Sequence, residues 1–252
     1  FDGSGRASIW VTNFPGELHS LHRNTGREVF HHATRASGVA ALGQSYVGFG
    51  TAFTDLDNDG WEDIAIATGH VLQHPVLGAE VKQKPVLLRN IEHEGKRYFV
   101  IATERGGPYF RKPEYGRGLA AGDLDNDGWP DLVVSHTNTP GAVLRNVGAE
   151  SGAARWVGVK LVGKGNRDVV GSTISLDTGT RTQTRFSKGG GSYLSHNDSR
   201  AHFGLGPDGA VRRVRVRWSW GETQTWEGVE PGAYWELREG EPAAKRVPNP
   251  GG

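Results

Sequence analysis

Two stretches of this chain carry unusual charge for their length: DLDNDGWED at residues 55–63 and DLDNDGWPD at residues 123–131. Carboxylates alternate along each one, at Asp55, Asp57 and Asp59 and again at Asp123, Asp125 and Asp127. Two carboxylates about 4 Å apart repel by roughly 4 kcal/mol at an effective dielectric near 20. A loop that gathers several of them either stays open in solvent or closes around a cation. Acidic side chains at loop positions 1, 3 and 5, with a backbone carbonyl at position 7, suit a calcium ion, which takes six to eight oxygens. The position-7 carbonyl belongs to Trp61 or Trp129, and the glycine at position 6, Gly60 or Gly128, permits the sharp turn between.

The pattern departs from the EF-hand, which places a bidentate Glu at position 12 on a following helix. Here the last acid falls at position 9, Asp63 or Asp131, followed by IAIA (64–67) or LVVS (132–135). Those β-branched, apolar runs read as buried strands. An acidic solvated turn is the plain alternative, but two copies with one spacing are hard to obtain from turn chemistry alone.

The elements that must position these loops repeat with them. A glycine pair stands before each loop, in YVGFGTAFTD (46–55) and YGRGLAAGD (115–123). Beyond the loops come LHRN (21–24), LLRN (87–90) and VLRN (143–146), then FHHAT (30–34) and FVIAT (99–103). The period from Asp55 to Asp123 is 68 residues, with an insertion at 69–85. Four short strands per unit imply blades of a β-propeller, which bury their faces against neighbours. The opening FDGSGRAS aligns with the loops, with Asp2 at position 3, Ser4 at position 5 and Ser8 at position 9. With no Met at residue 1, the chain reads as a fragment cut inside a repeat, a signal peptide being expected upstream.

With these motifs in view, residues 1–148 resemble the FG-GAP/VCBS repeats of integrin-type and related bacterial propellers. The resemblance implies calcium ligation by the acids at positions 1, 3, 5 and 9: Asp55, Asp57, Asp59 and Asp63, and Asp123, Asp125, Asp127 and Asp131. The opening loop lacks the acids and is assigned no site. From residue 151 the rhythm changes to short alternating segments that read as a β-sandwich or small barrel. Here GNRDVVGSTISL (165–176), SYLSHNDSRAHFGLG (192–206) and VRRVRVRWSWGETQTWEGV (211–229) resemble the ASPIC/UnbV domain. That domain typically follows an FG-GAP/VCBS propeller, as in proteins related to cartilage acidic protein. The expected organisation is therefore all-β: a partial propeller over 1–150, a sandwich-like ASPIC/UnbV domain over 151–240, and a tail over 241–252.

Other features of the sequence have simpler readings. RRVRVRW places Arg213, Arg215 and Arg217 on one strand face, first of all a solvated outer face and secondarily an anion site for acidic glycans. Histidine metal chemistry is disfavoured: His31 and His32 face opposite ways in a strand, and His70 and His74 lack a helix and a third ligand. SYLSHND has no G-x-S-x-G elbow and GGGS (189–192) no phosphate-loop lysine, so both read as turns. Asn197-Asp198-Ser199 is a formal glycosylation sequon. There is no cysteine, the formal net charge is +1, and no apolar run is long enough for a membrane span. Nucleic acid is not an expected partner, because no basic surface accompanies the Arg strand.

The resulting expectation is an exported, non-catalytic protein with about two structural calcium ions. It would act in recognition or adhesion on an extracellular protein or glycan, at a surface, periplasmic or secreted location. The alternative is an accessory part of a glycan-active enzyme whose active site lies further toward the N-terminus.

Overall fold

A computed structural model describes residues 1–72, 80–148, 155–206 and 209–248. Three small antiparallel sheets come first. Strands β1 (Ile9–Val11), β2 (Ser20–Gly26) and β3 (Val29–His32) form one in that order, and β4 (Gly48–Thr54), β5 (Asp63–Thr68), β6 (Val86–His93) and β7 (Lys96–Ile101) form the next. The third joins β8 (Gly116–Gly122), β9 (Asp131–His136) and β10 (Ala142–Leu144). Each acidic loop links the first two strands of its sheet: 55–62 joins β4 to β5, and 123–130 joins β8 to β9. The architecture is that of successive propeller blades.

Blade packing explains the sequence patterns. All six residues of β5 are buried because both its faces are covered. Ile64 and Ile66 face a core with Leu21, Val39, Val86, Leu88 and Phe99. Ala65 and Ala67 face the next blade through Leu119, Leu132 and Val134. The equivalent LVVS run was expected to be buried too, but in β9 only Leu132 and Val134 go inward, and Val133 remains 39% exposed. Among the described residues, the face of that strand bearing Val133 is left partly exposed. The glycine pairs permit close approach of adjacent blades: a Cβ on Gly50 would stand 2.2 Å from the amide nitrogen of Leu119.

Two four-stranded sheets follow. One has the order β14 (Ala201–Gly206), β11 (Arg155–Val162), β17 (Tyr234–Arg238), β18 (Lys245–Arg246). The other has β13 (Thr182–Phe186), β12 (Thr173–Asp177), β15 (Arg213–Arg217), β16 (Thr223–Trp226). They sandwich a core of Val157, Val159, Ile174, Leu176, Phe203, Val214, Val216, Trp218, Trp226 and Leu237. The alternation in RRVRVRW is realised as read, with Val214, Val216 and Trp218 at 0–1% exposure and the arginines outward. Of the segment 241–252, expected as a tail, residues 249–252 lie outside the described residues, and part of 241–248 contacts the sandwich. Lys245–Arg246 pairs with β17, and the Glu241 carbonyl accepts from the Trp226 indole N–H at 3.0 Å.

Candidate metal centres

Each acidic loop is built from the same hydrogen bonds at the same positions. At position 1, Asp55 Oδ2 accepts from the Gly60 amide at 2.8 Å, and Asp123 Oδ2 from the Gly128 amide at 2.8 Å. At position 3, Asp57 and Asp125 accept from the amides of Asp59 and Asp127, both at 3.3 Å. At position 5, Asp59 and Asp127 accept from the amides of Trp61 and Trp129, both at 2.9 Å. These bonds curl the chain so that alternate carboxylates turn to one side. The left-handed residues needed for that curl fall at Asn58 and Asn126 (φ 55° and 59°) and at Gly60 and Gly128 (φ 90° and 87°).

Position 9 closes the loop. Asp63 accepts from the amides of Leu56 (3.2 Å) and Asn90 (2.8 Å), and Asp131 from those of Leu124 (3.0 Å) and Asn146 (2.7 Å). The asparagine of each L-x-R-N motif also donates its side-chain amide to the position-8 carbonyl of its own loop. Asn24 reaches Ala7, Asn90 reaches Glu62 and Asn146 reaches Pro130, at 3.1, 3.1 and 3.2 Å. Asn90 and Asn146 reach further, to the position-2 carbonyl of the preceding loop: Phe1 at 3.1 Å and Leu56 at 2.8 Å. The opening segment therefore shares the loop frame, although its position 9 is Ser8, which accepts from the Asn24 amide at 3.3 Å.

Ligand atoms of Asp55, Asp57 and Asp59 lie within 4.8 Å of one another, as do those of Asp123, Asp125 and Asp131. Asp63 and Asp127 border these groups rather than joining them, although their counterparts Asp131 and Asp59, which carry the same amide bonds, are members. Trp61 and Trp129 stand at position 7 in both loops, and the guanidiniums of Arg97 and Arg181 both lie over the Trp61 ring. No histidine joins a metal-competent group among the described residues. His70 instead accepts the Leu72 amide at 3.0 Å, and His74 lies outside the described residues.

The electrostatics are those of carboxylates gathered in a buried setting, opposed in part by Arg185 beside Asp55 and by Arg89 and Arg145. Burial, followed by neighbouring carboxylates, holds Asp55 well above the usual carboxylate range and pushes Asp63 up to about 8. Asp59, Asp123 and Asp131 are also raised, with burial the leading cause. Asp125 is lowered, because Arg145 hydrogen-bonds to it. The motif arginines beside the two acidic loops span positions 3 and 5. Arg89 is 2.5 Å from Asp57 and 3.9 Å from Asp59, and Arg145 is 2.8 Å from Asp125 and 3.4 Å from Asp127. The arginines leave Asp55 Oδ1 and Asp123 Oδ1 buried with no hydrogen-bond partner. An all-oxygen donor set with one orphaned, buried carboxylate oxygen at the same position in both loops fits a hard cation.

Family models match the chain in two places. The FG-GAP repeat covers residues 115–144, from β8 through the second loop to β10. ASPIC and UnbV covers 162–244, nearly the whole sandwich. The chain joins an FG-GAP repeat to an ASPIC/UnbV domain. No curated protein matches it. The 55–63 loop lies outside the matched repeat yet repeats its hydrogen bonds one for one. No helix among the described residues is long and apolar enough to cross a membrane.

The ASPIC/UnbV domain meets the blades at residues the sequence suggested were only turns. Ser192 Oγ accepts the Thr51 amide at 3.1 Å and donates to the Leu119 carbonyl, bridging β4 and β8. Asn197 Oδ1 accepts the Ala121 amide and the Asp198 amide donates to the Ala121 carbonyl, both at 2.9 Å. SYLSHND is thus a docking segment along an exposed strand edge, and the sequon asparagine is engaged in it. Arg213 pairs with Asp177 at 3.2 Å on the outer face of the sandwich.

Proposed function

We propose that this chain is a non-catalytic recognition module of an exported protein, held in shape by two structural calcium ions. The observation that supports it most is the buried, unpartnered Oδ1 of the first aspartate in both loops. Asp55, Asp57, Asp59 and Asp63 would hold one ion with the Trp61 carbonyl, and Asp123, Asp125, Asp127 and Asp131 the other with that of Trp129. Carboxylates, a carbonyl and water are the ligands that calcium accepts in flexible geometry, whereas magnesium demands a near-ideal octahedron. The ion neutralises the loop and fixes the turn from the first blade strand to the second.

Extracellular calcium modules work with dissociation constants of about 0.1–1 mM. Loops of that affinity would stay empty in a resting cytosol, which favours a surface, periplasmic or secreted setting. FG-GAP and ASPIC/UnbV units fit a repeat protein that binds other molecules, here an extracellular protein or glycan. Thermal unfolding in EDTA and across a calcium titration tests the reading. Saturating calcium should raise Tm in the parent chain and not in an Asp57→Ala/Asp125→Ala double variant. An identical cooperative transition with and without calcium would show that the loops are solvated turns.

A further inference from the structure

The two loops share one more feature, and it comes from outside the repeat. In each, Oδ2 of the position-1 aspartate accepts a second hydrogen bond, donated by the ASPIC/UnbV domain. Gly204 N–H reaches Asp55 at 3.1 Å from 149 residues away, and the Tyr234 hydroxyl reaches Asp123 at 2.6 Å from 111 residues away. With Oδ2 held from two sides, Oδ1 is the oxygen left for a cation. It is buried in both, on aspartates only 2% and 4% exposed.

The same domain grips position 4. His202 Nε2 lies 2.6 Å from Asn58 Oδ1, and Arg200 donates to Asn126 Oδ1 at 2.5 Å. It also satisfies carbonyls that the left-handed turns leave bare. Gly206 N–H donates to Asn58 O at 2.8 Å, Arg181 to Asp59 O at 2.6 Å, and Arg200 to Asp123 O at 2.7 Å. The contact is tight enough to exclude a methyl group. A Cβ on Gly204 would stand 2.3 Å from Asp55 Oδ2, and one on Gly128 would strike the Trp156 ring.

A domain that merely leaned on the blades would have no reason to touch equivalent atoms of two successive loops. We propose that the ASPIC/UnbV domain is the outer shell of both cation sites, with Tyr234 the positioning residue for the second loop and the Gly204 amide for the first. This rests on the reading that the loops take calcium. Outer partners of this kind orient the ligand, and their loss typically lowers metal affinity about 10–100-fold. Coupling is reciprocal, so an ion that binds more tightly when the domain is docked also holds the domain in place. The ASPIC/UnbV domain is then part of a calcium-dependent junction rather than an independent appendage.

The test is calcium titration calorimetry on the full chain with one loop silenced at a time. In an Asp57→Asn background only the second loop binds, and Tyr234→Phe should weaken it about 10-fold or more. In an Asp125→Asn background only the first loop binds, and Tyr234→Phe should leave it within about twofold of its parent, a change worth under 0.5 kcal/mol. Gly204→Ala should give the mirror result. Unchanged affinity in the Asp57→Asn background, or equal weakening of both loops, would overturn the assignment. If neither background binds calcium, the calcium reading itself fails first. Hydrogen exchange on the unmodified chain keeps the test independent of variant folding. Calcium should slow exchange of the 200–206 segment, and unaltered exchange there at saturating calcium would overturn the coupling.

Discussion

The two loops share eight of nine residues yet sit in different surroundings. Leu56, at position 2 of the first, packs against the core shared with the following blade, whereas Leu124 at the same position of the second is 55% exposed. The Leu56 carbonyl is met by Asn146 of that blade, and Asn58 donates across to the Gly128 carbonyl at 2.9 Å. The first loop is therefore enclosed by a blade and by the ASPIC/UnbV domain, the second mainly by the domain. Charge responds accordingly at position 9: burial pushes Asp63 up to about 8, and it raises Asp131 as well, against two amide hydrogen bonds in each case. Identical ligands do not make identical sites, because a loop's neighbours decide how far its charge is removed from water.

That difference can be broken from either side. The largest effect expected is from removing an ion. A site held at 100 times its dissociation constant adds about 2.7 kcal/mol, or about 5–10 °C in Tm for a chain of this size. Asp55→Ala should abolish the greater part of the calcium-induced rise and Asp123→Ala a smaller part. Differential scanning calorimetry of the two variants with and without calcium decides it, and equal losses would erase the distinction.

The Gly204→Ala clash comes next. Overpacking of this kind costs about 1–3 kcal/mol. The loss should persist in calcium, seen as a lower urea midpoint. A neutral substitution would mean the contact is looser than the 2.3 Å approach indicates.

The pH dependence is a third effect. Asp63 binds a proton up to about pH 8 when folded without a cation, against the ordinary carboxylate value near 3.8 when unfolded. The folded apo state thus holds more protons across that window and loses stability as pH rises through it. His19 and His202 act oppositely. Burial lowers them to about 4 and about 3, so they contribute stability above their unfolded value of 6.5 that is lost as pH falls through the window below it. Asp63 is a ligand in the calcium reading and the histidines are not, so the difference between calcium and EDTA follows the carboxylate. The stability gained from saturating calcium should therefore grow from pH 5 to pH 8, measured as ΔTm between calcium and EDTA. A pH-independent increment would contradict the carboxylate assignment.

Much of this arrangement was legible in the sequence. The D-x-D-x-D-G spacing, the glycine pairs and the L-x-R-N motifs recur because each blade solves the same packing problem with local residues. The periodicity did not disclose what the arginine and asparagine of L-x-R-N do, since Arg89 covers Asp57 from the far side of β5 and Asn90 reaches the preceding loop. Gly204 and Tyr234 were invisible for a stronger reason. They lie in no repeat, one acts through its backbone amide, and only the docking of two units brings them to the loops. Val133 was misread as buried because burial on its face depends on a neighbouring blade and not on its own strand.

The smallest effect expected is at the motif arginines. Exposed ion pairs are worth about 0.2–1 kcal/mol. Arg89→Gln and Arg145→Gln should each cost no more than that in EDTA and almost nothing in calcium, where the ion takes over the charge. Equal costs in both conditions would assign the arginines a purely structural role.

The most direct measurement is the number of calcium ions bound per chain, by equilibrium dialysis with radioactive calcium on EDTA-stripped protein at millimolar free calcium. Two ions in the parent chain, one in Asp57→Asn, one in Asp125→Asn and none in the double variant is the expected result. No bound calcium in the parent, or binding that survives in the double variant, would contradict it.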